Sequence, residues 1–276
     1  MLSSGIDHTF IADHVSFRVG TGLDGLINAA TLAAIDPRLR IVVGVYLLAL
    51  RHPIVVARQL STLAASAPGQ LILGVGVGGE DRNEFTMLGV DPRTRGRRTD
   101  ESLEILTALA NGEPLDHRGE FYQFERAWVR PAPSPRVPIL IGGRSEAALA
   151  RAARYGDGWL GVWCSARRFG EAIRAVDAAS RKPSARLHGL QLWVGIHRDK
   201  HVARERLAEA MYGFYRLPYE RFEKYSPFGT AEDVATFLAP YRDAGCRLFN
   251  ITTIAESDEA AIDAAAEIKA RLTLPA

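Results

Sequence analysis

The chain has 276 residues, 47% of them hydrophobic, and a formal net charge of +2 at pH 7. This length allows one large core, and it fits a single domain over residues 1–276 as well as two smaller ones. No basic block indicates a nucleic-acid surface, and no apolar run has the 18 or more residues of a membrane span. The two cysteines lack metal spacing and the N-terminus lacks a signal-peptide pattern, so we predict a soluble, cytoplasmic protein without a metal site.

Short runs rich in β-branched residues alternate with helical patterns along the chain. The strand-like runs lie near residues 10–12, 41–43, 71–73, 139–141, 159–162, 190–196 and 248–251. The residues typical of helix boundaries are Pro53, Ser145, Gly156, Thr230 and Ser257. Pro240 predicts a kink or a break in the penultimate helix. The alternation predicts an α/β fold with parallel strands, either an open doubly wound sheet or a barrel.

Glycines are concentrated at the end of the third predicted strand. Gly74, Gly76 and Gly79 follow the apolar residues 71–73. Because glycine has no Cβ, it permits positive φ and lets a ligand approach the backbone closely, so a flat ring or a phosphate could lie here. The same glycines fit the dinucleotide fingerprint G-x-G-x-x-G. That fingerprint needs a helix at the third glycine, whereas a charged segment, residues 80–98, follows, so we do not favour it.

The fourth predicted strand also ends in glycine, in the sequence Gly142-Gly143-Arg144-Ser145. The two glycines turn the chain, and Ser145 caps a helix whose free N–H groups point back at the strand end, which is the pattern of an anion site. Arg144 adds a planar guanidinium suited to phosphate. An ordinary strand-to-helix turn would use the same glycines. Together with the other glycine-rich strand end, the pattern favours a binding function.

Further short motifs follow one another along the chain in a characteristic order. They are Asp13-His14, Gly44-Val45, Arg51-His52-Pro53, Gly74 to Gly78, Asn83-Glu84-Phe85, Gly89, Arg97-Arg98, Gly119 to Tyr122, Ile139 to Ser145, Tyr155 to Trp159 and Gly229 to Gly245. In this order they resemble the bacterial luciferase-like superfamily, and most closely the branch that uses the deazaflavin coenzyme F420. No single motif is specific, but the ordered series is, and it covers nearly the whole chain.

The resemblance implies a TIM-type (β/α)8 barrel, usually dimeric, that binds F420 or alternatively FMN across its strand ends. The cofactor-binding residues that it implies are Gly44, Val45, Gly76, Val77, Gly78, Gly142, Gly143, Arg144 and Ser145. The last four of these would hold the phosphate. The resemblance also implies a cis peptide bond between Gly44 and Val45.

The resemblance assigns the active-site histidine to His14. Its expected task is to donate a hydrogen bond or a proton to a substrate oxygen during hydride transfer, and Asp13 could hold the imidazole tautomer. The alternative is a histidine that only lines the pocket wall. His197 and Cys164 are more simply interpreted as residues that leave strands. In related dehydrogenases an acidic residue directly follows the glycine strand. Here the nearest acidic residue, Glu80, lies one position later, so we do not assign Glu80 a catalytic role.

The N-terminus departs from the family pattern. Relatives begin with a strand and a helix of roughly 20 residues before the point where this chain starts, so the predicted barrel lacks its first strand and most of its first helix. A barrel with a missing strand exposes ladder groups on both neighbours. We therefore expect that the true start lies upstream, that the barrel is gapped, or that another chain fills the gap.

Three functions remain open from the sequence. The favoured one is an oxidoreductase that transfers a hydride between F420 and a small organic substrate, such as an alcohol, an enone or an imine. The second is an FMNH2-dependent monooxygenase of the luciferase or alkanesulfonate type, and the third is a degenerate, non-catalytic barrel. Six aromatic residues between Met211 and Phe228 indicate either a lid over an apolar ligand or a face of a homodimer.

Overall fold

A computed structural model describes residues 5–18, 20–79, 81–181 and 186–273 of the chain. Two compact units are distinguished, His8–Gly158 and a second unit of Trp159–Ala276 with Met1–Asp7. In both units parallel strands alternate with helices, as predicted. The expectation of a single domain over residues 1–276 stays a prediction. None of the helices in the described ranges combines the length and the apolar content that a membrane crossing requires.

The first unit is built around a parallel sheet. Its strands are β1 (His8–Ile11), β2 (Arg40–Leu47), β3 (Leu71–Gly76), β4 (Leu115–Arg118), β5 (Gln123–Ala127) and β6 (Ile139–Gly142). Its helices are α1 (Gly25–Ile35), α2 (Pro53–Ser66), α3 (Asn83–Met87), α4 (Arg95–Leu109) and α5 (Glu146–Tyr155). The strand order is β1-β2-β3-β6, whereas β4 and β5 form a separate antiparallel hairpin.

The core of the first unit explains why its central strands have continuous apolar sequences. Strand β3 is buried at every position, and β2 is buried at Ile41, Val42 and Val43. In a half-exposed strand, apolar and polar residues alternate, whereas a strand that is covered on both faces is apolar at nearly every position. Helix α2 buries one face through residues such as Val56 and Leu60, which are spaced by one helical turn.

The second unit has the same alternation. Its strands are β7 (Gly158–Val162), β8 (Gly189–Ile196), β9 (Phe228–Gly229) and β10 (Leu248–Ile254). Its helices are α6 (Ala166–Ala179), α7 (Lys200–Tyr215), α8 (Ala231–Asp243) and α9 (Asp258–Thr273). Strand β8 lies between β7 and β10 in parallel register, and the short strand β9 pairs with the end of β8.

Every predicted strand is present, and the predicted helix boundaries are confirmed. Pro53 is the first residue of α2, and the Ser145 hydroxyl accepts a hydrogen bond from the Ala148 N–H at the start of α5. The Thr230 side chain closes a capping box at α8, and Ser257 Oγ accepts from the Ala260 N–H before α9.

Two helical segments differ from what the sequence indicated. The charged segment 80–98 gave no helical signal in the sequence, but it contains α3 and the start of α4. Pro240 does not break α8, because it lies in the last turn, where a missing N–H removes only the bond to the Thr236 carbonyl. The loss of one backbone hydrogen bond in the last turn leaves the preceding turns of α8 intact.

Candidate functional site

The predicted site residues of the first unit gather at one edge of its sheet. Asp13 and His14 follow β1, Gly44 and Val45 lie within β2, and Gly76 and Gly142 end β3 and β6. These strands are parallel neighbours, so their carboxyl ends meet at the same edge. That edge is where α/β proteins of both barrel and open-sheet type place their ligands.

Strand β2 is irregular at the predicted position. The peptide bond between Gly44 and Val45 is cis, as the resemblance implied. The register of β2 against β3 shifts between Val43 and Tyr46, so the two residues between them stand outside the regular ladder. The Val45 side chain is half-buried there.

The glycines of β3 and β6 make room for β2, which revises the prediction that they deliver a bare backbone to a ligand. A Cβ at Gly76 would overlap Val45 Cγ2, and one at Gly74 would overlap the Val43 carbonyl oxygen. A Cβ at Gly142 would lie 2.9 Å from Val45 Cγ1. Three glycine positions thus enclose the irregular part of β2. At this part of the candidate site the surface is formed by the Val45 side chain as well as by glycine backbone.

The rest of the glycine run turns away from the strand. Gly78 has φ +62° and Gly79 has φ +131°, which both favour glycine. A Cβ at Gly78 would lie 3.0 Å from Leu47 Cδ2, so Gly78 also packs closely against protein. Glu80, the nearest counterpart of the family acid, lies outside the described residues.

The second predicted binding element, the turn from β6 into α5, has the expected geometry. Gly143 has φ +116°, where a side chain would be strained, and a Cβ there would lie 3.0 Å from Ala148 Cβ. Arg144 and Ser145 are exposed at the start of α5. Serine capping and an exposed helix N-terminus are compatible with an anion, and the assignment of these residues to a phosphate stays a prediction.

His14 lies at a cavity of about 390 Å³ at this edge. Its side chain is 16% exposed, and its ring stacks on Phe17 with ring centroids 4.1 Å apart. The cavity is lined by His14, Val15, Gly22, Asp24, Leu50, Arg51 and Leu88. The cavity therefore combines one imidazole, one arginine–aspartate pair and an otherwise apolar wall.

Glu84 is the carboxylate that faces His14. Its Oε2 lies 3.1 Å from His14 Nδ1, and its Oε1 accepts from the backbone N–H groups of Val15 (2.9 Å) and Ser16 (3.2 Å). The Glu84 side chain is 3% exposed, so these contacts are shielded from water. Glu84 is part of the Asn83-Glu84-Phe85 motif, but the motif alone indicated no role for it. The available signal was an acidic residue beside Phe85, shortly after the glycine strand.

Asp13 has a different set of partners from the one predicted. Its carboxylate accepts from the N–H groups of Gly25 and Leu47, both at 2.9 Å, and from Arg51 Nη2 at 2.7 Å. Burial raises the pKa of Asp13, and the Arg51 guanidinium and the two N–H groups oppose that rise. Asp13 therefore fixes the positions of α1, β2 and Arg51, while the contact to the imidazole is made by Glu84.

The other residues singled out from the sequence are explained by packing or capping. His197 Nδ1 accepts from the Asp199 N–H at 3.1 Å just before α7, and Cys164 is buried in the second unit. Within the aromatic segment, Tyr219 and Phe222 form a buried cluster with α7, whose residues Leu207 and Met211 contact them. These two rings therefore belong to the core of the second unit and need neither a lid nor a dimer face to account for them.

Comparison with known proteins agrees with this architecture. A sequence model described as luciferase-like monooxygenase matches residues 3–258. An uncharacterized protein of Mycobacterium tuberculosis is 38% identical over 138 residues, which are 50% of this chain and 47% of the relative. The F420-dependent glucose-6-phosphate dehydrogenase of Nakamurella multipartita is 33% identical over 162 residues, 56% of this chain and 48% of the relative. The matches thus span about half the length of these curated relatives.

Solved structures are similar over almost the whole chain. An F420-dependent secondary alcohol dehydrogenase in complex with an F420-acetone adduct has a TM-score of 0.86 and 19% identity, with 99% of this chain and 92% of that chain covered. The monooxygenase RslO1 from Streptomyces bottropensis has a TM-score of 0.82 and 22% identity, with 99% and 89% covered. At these identities the likeness shows the fold, which is the predicted luciferase-like α/β fold of the TIM type.

Proposed function

The chain belongs to the luciferase-like monooxygenase family, and we propose that it is an oxidoreductase that transfers a hydride between F420 and a small alcohol, enone or imine. One observation carries the proposal: the His14 imidazole, held by the buried Glu84 carboxylate, lies at a cavity at the carboxyl edge of the sheet. Val45 lies in a strand of the same sheet but does not line that cavity. A positioned imidazole beside a small cavity is suited to moving a proton at a substrate oxygen. The curated relatives named as F420-dependent glucose-6-phosphate dehydrogenases support the choice of cofactor.

The residues present fit a flavin-like group in two places. Val45, enclosed by the glycine positions 74, 76 and 142, offers a small apolar side chain at the strand edge against which a planar ring can pack. The turn at Gly143 leads to the exposed Arg144 and Ser145 at the start of α5, which are suited to a phosphate. F420, when bound, supplies the centre that accepts or gives the hydride.

The chain's own residues would then handle the proton and the substrate. His14 takes the hydroxyl proton when an alcohol is oxidised, and it returns a proton to the oxygen in the reverse direction. Val15, Leu50 and Leu88 provide the apolar part of the cavity wall, against which the carbon skeleton of a substrate can pack. The charge of Arg51 is balanced by Asp13 and Asp24, whose carboxylates lie 2.7 and 3.3 Å from its Nη2.

An FMNH2-dependent monooxygenase is the second candidate function. It is supported by the structural similarity to a monooxygenase from Streptomyces bottropensis, which is nearly as extensive as the similarity to the F420-dependent alcohol dehydrogenase. The two candidates share the fold and would share the ring-binding and phosphate-binding residues. They differ in the cofactor, so cofactor preference separates them.

The test is a fluorescence titration of the purified chain with F420 and, separately, with FMN. We expect tight binding of F420 and weak binding of FMN. Gly143→Ala should weaken F420 binding by at least about ten-fold, which is ~1.4 kcal/mol, because a side chain is strained at φ +116°. Gly69→Ala is the matched control, since Gly69 also has a positive φ (+77°) but precedes β3 at the opposite edge. Preference for FMN would favour the monooxygenase, and binding of neither would contradict both.

We further propose that the protein is a homodimer that associates through α1. This helix has no charged residue from Gly25 to Ile35, yet Ile27 is 67% and Ile35 is 72% exposed. An uncharged helix with two exposed isoleucines is suited to an apolar contact with a second copy of the chain. Light scattering should show a dimer that Ile27→Lys converts to a monomer, whereas Tyr212→Lys, at a residue 53% exposed in the second unit, should leave it intact. A monomeric wild-type protein would refute the proposal.

A further inference from the structure

Glu84 joins two parts of the site that are distant in the sequence. It lies in α3, and its carboxylate reaches back about 70 residues to the loop after β1. One oxygen, Oε1, is used by the Val15 and Ser16 N–H groups, and the other, Oε2, faces His14 Nδ1. Since the carboxylate is buried and held by two backbone donors, it cannot turn away from the imidazole without losing them.

We propose that Glu84 is a positioning residue for His14, and this rests on the proposed function. An ionised carboxylate can only accept hydrogen bonds, so the nitrogen that faces it, Nδ1, must carry a proton. Neutral imidazole has one N–H, so Nε2 is then the basic nitrogen. Stacking on Phe17 fixes the plane of the ring, and Glu84 fixes which nitrogen is the base.

This tautomer suits oxidation of an alcohol. As the substrate carbon loses its hydride, for which F420 is the acceptor under the proposed function, the hydroxyl proton passes to His14 Nε2 and a carbonyl group forms. The imidazolium that results carries a positive charge beside the Glu84 carboxylate, which stabilises it. The arrangement follows the general logic of a base whose tautomer and charge are set by a buried acid.

Glu84→Gln separates positioning from loop anchoring. The Val15 and Ser16 N–H groups still require an acceptor, so the amide oxygen of glutamine is expected to face them. Its NH2 group then faces His14 Nδ1, which must accept, and the proton moves to Nε2. The substitution thus keeps the loop attached and inverts the tautomer of His14.

The first readout is the ¹⁵N spectrum of histidine-labelled protein without cofactor, with the His14 signals assigned by their loss in His14→Ala. We expect the Nδ1–H tautomer in the wild type and the Nε2–H tautomer in Glu84→Gln. The second readout is kinetic: kcat for alcohol oxidation should fall by about 10²–10⁴-fold while F420 affinity changes less than a few-fold.

Asp81→Asn is the matched control. Asp81 holds the same region by accepting from the Arg18 N–H at 2.7 Å and the Asn83 N–H at 2.9 Å. We expect it to leave the His14 tautomer and kcat nearly unchanged. An Nε2–H tautomer in the wild type overturns the proposal, even if Glu84→Gln does not fold. An inverted tautomer in Glu84→Gln with unchanged kcat also overturns it. If the wild type binds no F420, the proposed function fails, while the tautomer measurement still decides the role of Glu84.

Discussion

Replacing His14 with alanine is expected to lower turnover by about 10²–10⁴-fold, the usual contribution of a general acid or base. The substitution removes the one imidazole that lines the described cavity. The ring-binding and phosphate-binding residues lie on β2, β3, β6 and the turn before α5, so the dissociation constant for F420 should change less than a few-fold. Steady-state kinetics on a small secondary alcohol, together with the fluorescence titration, measure both quantities.

The control for this experiment is His197→Ala. His197 also follows a strand, but its Nδ1 accepts from the Asp199 N–H at the start of α7 and it lies in the second unit. Turnover should be unaffected by that change. Full activity in His14→Ala would remove His14 from the mechanism and leave it as a residue of the pocket wall.

Local sequence signals predicted much of the fold. Pro53, Ser145 and Thr230 act within a single helical turn, and each begins or caps the helix that its position indicated. The apolar runs of β2 and β3 were equally visible, because strands buried on both faces need an unbroken apolar sequence. By contrast, the hairpin of β4 and β5 was missed, since its residues are mostly polar and partly exposed.

Contacts between distant segments were harder to predict. The glycines at positions 74, 76 and 142 look alike in sequence whether a ligand or a protein side chain approaches them, and only the fold shows that Val45 and Val43 occupy that space. The same holds for the acid beside His14. Asp13 is its neighbour in sequence, but Glu84 is its neighbour in space, because Asp13 is directed to Arg51 and the backbone of α1 and β2.

Arg51→Met is expected to lower the free energy of unfolding by about 3–5 kcal/mol near neutral pH, because it leaves the buried Asp13 carboxylate without its cation. The Asp13 side chain is fully buried, and Arg51 is only 14% exposed. Arg38→Met is the matched control: it breaks another arginine–aspartate pair, with Asp36, but Arg38 is 76% exposed. Exposed pairs contribute little, so Arg38→Met should hardly shift the urea midpoint.

The pH dependence provides a second check on the Arg51–Asp13 pair. Burial already raises the pKa of Asp13 above the ordinary aspartate value of 3.8, and without Arg51 the pKa should rise further. A carboxyl whose pKa is higher in the folded state binds its proton more tightly there, so its ionisation destabilises the fold as pH rises through that pKa. The deficit of Arg51→Met should therefore shrink as the pH is lowered from 8 toward 4. A deficit that grows on acidification, or one no larger than that of Arg38→Met, would show that Asp13 does not depend on Arg51 for its charge.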